Sequence, residues 1–276
     1  MKVENTVVRE FLAELLGTFV LTCIGCSVNA SVAVSGAGNA GGIMGAFGWG
    51  LALTAAIYVS GGVSGGHVNP AVTLGMASIG KLPWIRVPYY FLAQYIGAFI
   101  GAFITYLVYI EAIKDKFGSE LKVVGPNATA GIFGTLPNAE ISAGTCFIDQ
   151  VVCVAFFLLI ICAITDERNM GTSKGLIPIA IGVADLSLMA FAFGYNCGAP
   201  VNPARDFAPR AFTFISGWGG EVFSVRDYNY FWIPVIACHI GGIIGCWLYT
   251  LMISSHWPTQ SYDVERTYVE MNTVKS

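Results

Sequence analysis

Two tripeptides in the chain of 276 residues carry groups suited to handling a small neutral molecule: Asn69-Pro70-Ala71 and Asn202-Pro203-Ala204. Asn caps a helix through its side-chain oxygen, and Pro suits the first helical position, where its missing N–H costs nothing. Residues 71–79 then read as a short helix that Gly80 ends. The second copy repeats the arrangement, with Pro209 expected to kink or shorten it. Two half-helices meeting N-terminus to N-terminus aim their positive ends at one spot. A cation or proton arriving there meets a barrier, and the sequence places no carboxylate beside either tripeptide to offset it. A hydroxyl group can instead accept hydrogen bonds from the Asn69 and Asn202 amides. A lone Asn-Pro often does no more than start a helix, but a matched pair in an apolar chain points to a site.

The elements that position this pair must cross a membrane. Charged residues make up 11% of the chain, against about 25% in a soluble domain. Hydrophobic residues reach 55% and mean hydropathy is +0.66. No Asp, Glu, Lys or Arg occurs in the 66 residues from Leu15 to Gly80. A net charge of −3 excludes a nucleic-acid partner, because no basic stripe is available to neutralise phosphates. Disorder is excluded as well. The eight cysteines lie mostly in or beside apolar segments and read as small packing residues. They show no metal-ligand spacing, and no cofactor is implied. The first apolar run contains Glu14 and reads as an insertion signal that is retained rather than cleaved.

A spanning helix needs about 20 mostly apolar residues. Six segments qualify: 8–28, 43–59, 89–110, 146–165, 176–195 and 230–253. The chain reads as one domain over 1–276, with repeat one at about 8–110, a hydrophilic central loop at 111–145, repeat two at 146–253 and a tail at 254–276. With the N-terminus cytoplasmic, eight Lys and Arg fall inside (Lys2, Arg9, Lys81, Arg86, Arg168, Lys174, Arg266, Lys275) and four outside (Lys114, Lys116, Lys122, Arg226). Both termini and the tail are then cytoplasmic and the central loop extracellular. The sequons at Asn127 and Asn29 fit that orientation, although Asn29 sits too near the membrane to be modified.

A shift of 133 carries Gly61, Gly65, Val68, Asn69, Pro70 and Ala71 onto Gly194, Gly198, Val201, Asn202, Pro203 and Ala204. A shift of 144 carries Ala93, Ile96, Gly97, Ile100 and Gly101 onto Ala237, Ile240, Gly241, Ile244 and Gly245. Each half holds three spans, an odd number, so the second copy is upside down and the two tripeptides enter from opposite faces. The fold class is therefore an all-α membrane protein of six transmembrane helices plus two re-entrant half-helices in an inverted repeat. The pairs Gly97/Gly101 and Gly241/Gly245 read as close helix contacts.

The runs Ser64-Gly65-Gly66-His67-Val68-Asn69-Pro70-Ala71-Val72-Thr73 and Asn202-Pro203-Ala204-Arg205-Asp206 resemble the major intrinsic proteins over about residues 11–253. Asp206, Gly194-Tyr195-Asn196-Cys197-Gly198 and Asp206-Phe207-Ala208-Pro209-Arg210 resemble the aquaglyceroporin branch. The resemblance implies one pore per protomer, a homotetramer in the plasma-membrane bilayer, and passage of water, glycerol and other small neutral solutes such as urea. It implies a filter of Trp49, Ala190, Ala199 and Arg205, wider and less polar on one wall than a water-only filter. Glu14 and Gln150 are then braces for the re-entrant loops, rather than a proton relay. Asp206 and Arg210, four apart, form a local ion pair steadying the second half-helix.

His67 reads as a neutral histidine hydrogen-bonded to loop backbone, or as a pH-sensitive group at the cytoplasmic mouth. His239 reads as core, and Cys197 as a thiol near the pore. Asp185 falls midway along the fifth span, where the family carries an aliphatic; it is neutral, paired with an inward-facing polar group, or a pH sensor. The competing functions are a water-selective channel, an ion-coupled secondary transporter, and a junctional protein without transport. No nucleophile–base set points to an enzyme.

Overall fold

The computed structural model describes residues 2–38 and 40–258, which leaves the expected tail beyond 258, with Arg266 and Lys275, outside the described residues. The helices are α1 (Thr6–Ser35), α2 (Ala40–Ser64), α3 (Pro70–Ser78), α4 (Val87–Phe117), α5 (Ala143–Thr165), α6 (Ile177–Ser187), the short α7 (Gly194–Cys197), α8 (Pro203–Thr213), the short α9 (Glu221–Ser224) and α10 (Ile233–Met252). Five of the described helical segments are long and apolar enough to cross a membrane. The chain is an integral membrane protein.

The expected fifth crossing differs from the other five. It is a shorter apolar helix, Ile177–Ala192, whose last turn, Leu188–Ala192, is wound as a π-helix. The Phe193 amide closes that turn on the Leu188 carbonyl at 2.8 Å. Sequence hydropathy runs on to 195 because Phe191, Ala192 and Phe193 are apolar, whereas the backbone has already turned toward the re-entrant loop.

The repeat is visible in the packing. In each half the first helix lies along the last, α1 on α4 and α5 on α10. Glycines permit the approach: a Cβ on Gly101 would lie 3.0 Å from the Phe19 carbonyl oxygen, and one on Gly245 would collide with the Ala155 carbonyl. The half-helices then cross over, α3 packing on α10 and α8 on α4. A Cβ on Gly242 would sit 2.7 Å from the Ala71 carbonyl oxygen, while Phe99 meets Phe212 edge-on at 5.8 Å. Lipid supplies no hydrophobic drive between helices, so such backbone-to-backbone fit carries the association. Replacing Gly245 by alanine is expected to lower the thermal unfolding midpoint in detergent, at a cost of about 1–3 kcal/mol from overpacking. An unchanged midpoint would contradict the close approach.

The C-terminal end of α5 is clasped to α10 and the segment beyond it. Asp166 accepts from the Arg168 amide at 3.0 Å, the Tyr249 hydroxyl at 3.0 Å and the Trp257 indole at 3.1 Å. Burial works to raise this carboxyl, but those hydrogen bonds outweigh it and hold the group below the ordinary carboxylate value. Its stabilisation is thus present above the unfolded-state value and is lost as pH falls through the lower folded one. Trp257 emission should shift below about pH 4, and Asp166→Asn should remove that transition.

Candidate functional site

The site is built where α3 and α8 meet. Asn69 caps α3 by accepting from the Ala71 amide at 2.8 Å, and Asn202 caps α8 by accepting from Ala204 and Arg205 at 3.0 and 3.2 Å. Each side-chain amide then reaches across the repeat: Asn69 Nδ2 donates to the Val201 carbonyl at 3.3 Å, and Asn202 Nδ2 to the Val68 carbonyl at 2.8 Å. An amide nitrogen has two protons. One is used in this exchange, and the other is free to donate to a solute. Val68 (φ 44°) and Val201 (φ 56°) adopt the left-handed region, as does Ala199 (φ 42°). For non-glycine residues this costs on the order of 1–3 kcal/mol each, so the surroundings must hold the loops in place.

Glu14 supplies that hold on the first loop. Its two oxygens accept from the His67 amide at 3.0 Å, the Val68 amide at 2.7 Å, the Gln94 side chain at 2.8 Å and the Ser64 hydroxyl. The side chain is fully buried. Gln150 takes the matching place in the second repeat and accepts from the Val201 amide at 3.1 Å. Its own nitrogen donates to Asp149 at 2.7 Å, and Asp149 in turn accepts from Asn196 at 2.6 Å. Asp149 was not among the residues singled out from the sequence. A pair of neighbours on α5 thus does what one carboxylate does on α1.

His67 is not bound to loop backbone through its ring, as expected, but lies with Nδ1 3.1 Å from the Thr73 hydroxyl and edge-on to Tyr90 at 5.3 Å. The α3 helix itself supplies this partner one turn after the cap. The Asn29 sequon is embedded in α1, where Asn29 accepts from the Trp49 indole at 3.0 Å and donates to the Ile132 carbonyl at 3.1 Å. Asn127 is exposed in a turn.

Pro209 does not shorten α8, which runs on to Thr213 and is longer than α3. The turn after Pro209 is pinned by Arg210, which donates to Asp206 at 2.8 Å, to the Thr135 carbonyl at 2.6 Å and to the Val222 carbonyl at 2.9 Å. Asp206 also accepts from the Thr135 amide at 2.8 Å. The buried Asp206–Arg210 pair therefore does more than stiffen one helix: it ties the central loop down onto α8.

That loop brings the Phe133 carbonyl to Arg205, whose terminal nitrogen donates to it at 3.3 Å. The Arg205 guanidinium carbon lies 4.1 Å from the centre of the Trp49 ring. Two chambers flank this contact. The outer one, about 700 Å³, is lined in part by Asn29, Ala190, Gly198, Trp49 and Arg205. The inner one is small, about 40 Å³, and its wall includes His67, Asn69, Asn202, Asp185, Trp49 and Arg205. Space of that size holds on the order of three waters in file. Trp49 and Arg205 line both chambers, so the two chambers meet beside this stacked pair.

Ala190 lines the outer chamber only, and Ala199 is buried between Gly198 on the outer wall and Pro200 on the inner. Met189, which the sequence reading did not single out, lines both chambers beside Trp49 and Arg205. A π turn holds one residue more than an α turn and re-aims the side chains after it, and nothing in the sequence signals that turn. The inner wall also corrects the expectation of a midplane without carboxylate. Asp185 reaches the chamber of Asn69 and Asn202 because α6 is drawn against α2, where a Cβ on Gly50 would lie 2.7 Å from the Gly182 carbonyl oxygen.

Residues 1–249 match the family described as major intrinsic protein. The chain is similar to human Aquaporin-9, with 43% identity over 92% of this chain and 86% of that protein. It is also similar to human Aquaporin-10, at 40% identity over 94% and 85%, and to Aquaglyceroporin-2 of Rhizophagus irregularis, at 42% over 92% and 79%. Among solved structures, the X-ray structure of the aquaglyceroporin from Plasmodium falciparum superposes with a TM-score of 0.82 at 32% identity, covering 90% of this chain and 98% of that one.

Proposed function

The chain belongs to the major intrinsic protein family, and from that premise we propose that it is a passive channel for water, glycerol and other small neutral solutes such as urea. The family is one of channels rather than enzymes, and the relatives that this chain resembles include proteins named as aquaglyceroporins. The observation that carries the reading is the Trp49–Arg205 constriction between two chambers. Arg205 donates to a solute hydroxyl and repels cations, while the Trp49 ring lies against the carbon backbone of a polyol. With Ala190 on the outer wall, no large polar side chain from that position narrows the passage to water alone.

Asn69-Pro70-Ala71 and Asn202-Pro203-Ala204 form the pore centre, and Trp49, Ala190, Ala199 and Arg205 the filter region. Asp206, Arg210, Glu14, Gln150 and His67 support them. The channel domain covers 1–276, assembles as a homotetramer in the lipid bilayer of the plasma membrane, and has cytoplasmic termini and an extracellular central loop. The test is stopped-flow swelling of liposomes holding the pure protein, under a water gradient and then a glycerol gradient. Both should pass; fast water without glycerol would leave the fold intact and overturn the solute assignment in favour of a water-selective channel.

A further inference from the structure

Among the described residues, the buried carboxylates are satisfied by protein donors, with one exception. Glu14 and Asp149 accept from the groups described above, Asp206 from Arg210 and Thr135, and Glu10 from Arg86 and Tyr89 at 2.7 Å each. Asp185 is 6% exposed, yet it forms neither a hydrogen bond nor an ion pair with any described residue. Its environment explains the difference: it lines the inner chamber, so its acceptors face the passage and not a neighbouring helix. Its oxygens are open to the chamber, so their hydrogen bonds must come from whatever water or solute occupies it.

Most of the other polar side chains of that chamber are donors. Asn69 and Asn202 each offer their remaining amide proton and Arg205 its guanidinium, while His67 Nδ1 is engaged with Thr73, whose own proton goes to the Asn69 carbonyl, and leaves Nε2 as a neutral acceptor. Arg205 Nε is itself buried without a partner. Much of the remaining wall is apolar, including Phe157, Val72 and Ile181. A solute that carries several O–H or N–H donors on a short carbon frame therefore meets donors, an apolar face and a carboxyl acceptor together.

We propose that Asp185 is a specificity-determining residue that makes the inner chamber an acceptor subsite for donor-rich neutral solutes, of the vicinal-polyol and urea class, in preference to water. The proposal rests on the channel reading above. A polyol or urea sheds more hydration than a single water on entering the narrow passage, so a charge-assisted hydrogen bond there lowers its barrier more. Urea, with four N–H groups, depends on the acceptor most, glycerol less and water least. The occupancy must stay weak enough for release, as any conducting site requires.

The experiment compares wild type, Asp185→Asn and Asp185→Ser in the same proteoliposome swelling assay, on protein with unchanged elution and melting. Both substitutions remove the charged acceptor, and the second decides the matter should the first not fold. Urea permeability should fall about tenfold and glycerol several-fold, with water changing by less than about twofold. Equal changes for all three solutes, which leave their ratios unmoved, would mark Asp185 as merely structural and overturn the proposal. A wild-type protein that passes neither glycerol nor urea would refute the channel reading itself, whereas one that passes both with unmoved ratios refutes only the role of Asp185.

Discussion

Glu14→Ala is expected to abolish conduction of both water and glycerol in proteoliposomes and to lower the melting midpoint sharply. The carboxylate is fully buried and holds two backbone amides, those of His67 and Val68, that a left-handed Val68 directs at it. Removing it strands those amides together with the Gln94 and Ser64 side chains. Each buried group left without a partner costs about 1–3 kcal/mol, so several at once approach the whole stability of a marginal loop. The Val68 carbonyl is also the acceptor for Asn202, which carries the damage to the pore centre. Glu14→Gln should be intermediate, because it keeps one acceptor but turns a second donor toward groups that are donors themselves. Wild-type flux in the alanine variant would contradict the bracing role. A Glu14→Gln variant that loses proton movement while keeping full solute flux would favour the relay reading.

Arg205→Val should produce the second large effect, of opposite character: solute flux survives while cation exclusion weakens. A unit charge about 4 Å from a passing cation contributes on the order of 4 kcal/mol at an effective dielectric of about 20. Losing it should raise cation conductance by roughly two orders of magnitude or more over the wild-type level. The two half-helix N-termini remain, so exclusion is reduced rather than abolished. Glycerol flux should be retained or increased, since the Trp49 face stays and the passage widens. Patch recordings of fused proteoliposomes report the conductance, and an ion-tight variant would place the barrier elsewhere.

How much of this was readable from the chain alone depends on the range of each interaction. Local signals were legible: Asn-Pro at a helix start, Gly80 at a helix end, and glycines four apart at helix contacts all act within one or two turns. The repeat was legible because its two copies keep Gly61-to-Ala71 identities in register. Partners brought together by the tertiary fold were not. Nothing near Gln150 says that it needs Asp149 for charge, and nothing near Thr135 says that it will meet Asp206 across 71 residues. Asn29 looked like a sequon and is a hydrogen-bonding partner of the Trp49 indole. The π turn at Leu188–Ala192 leaves no mark in hydropathy, so nothing in the sequence says that Met189 as well as Ala190 lines the outer chamber beside Trp49 and Arg205. Asp185 was visible as an anomaly, but only the packing of α6 on α2 shows that it faces the pore.

The central claim is that one passage admits neutral polyols and refuses charge. Its most direct test measures both in the same preparation: glycerol permeability and K⁺ or proton leak of liposomes carrying the pure protein, with equal pH and no Na⁺ on the two sides. The predicted result is glycerol flux well above that of empty liposomes, proportional to the gradient, with ion leak at the empty-liposome level. Glycerol movement that appears only with a proton or Na⁺ gradient, or that is accompanied by ion leak, would contradict it.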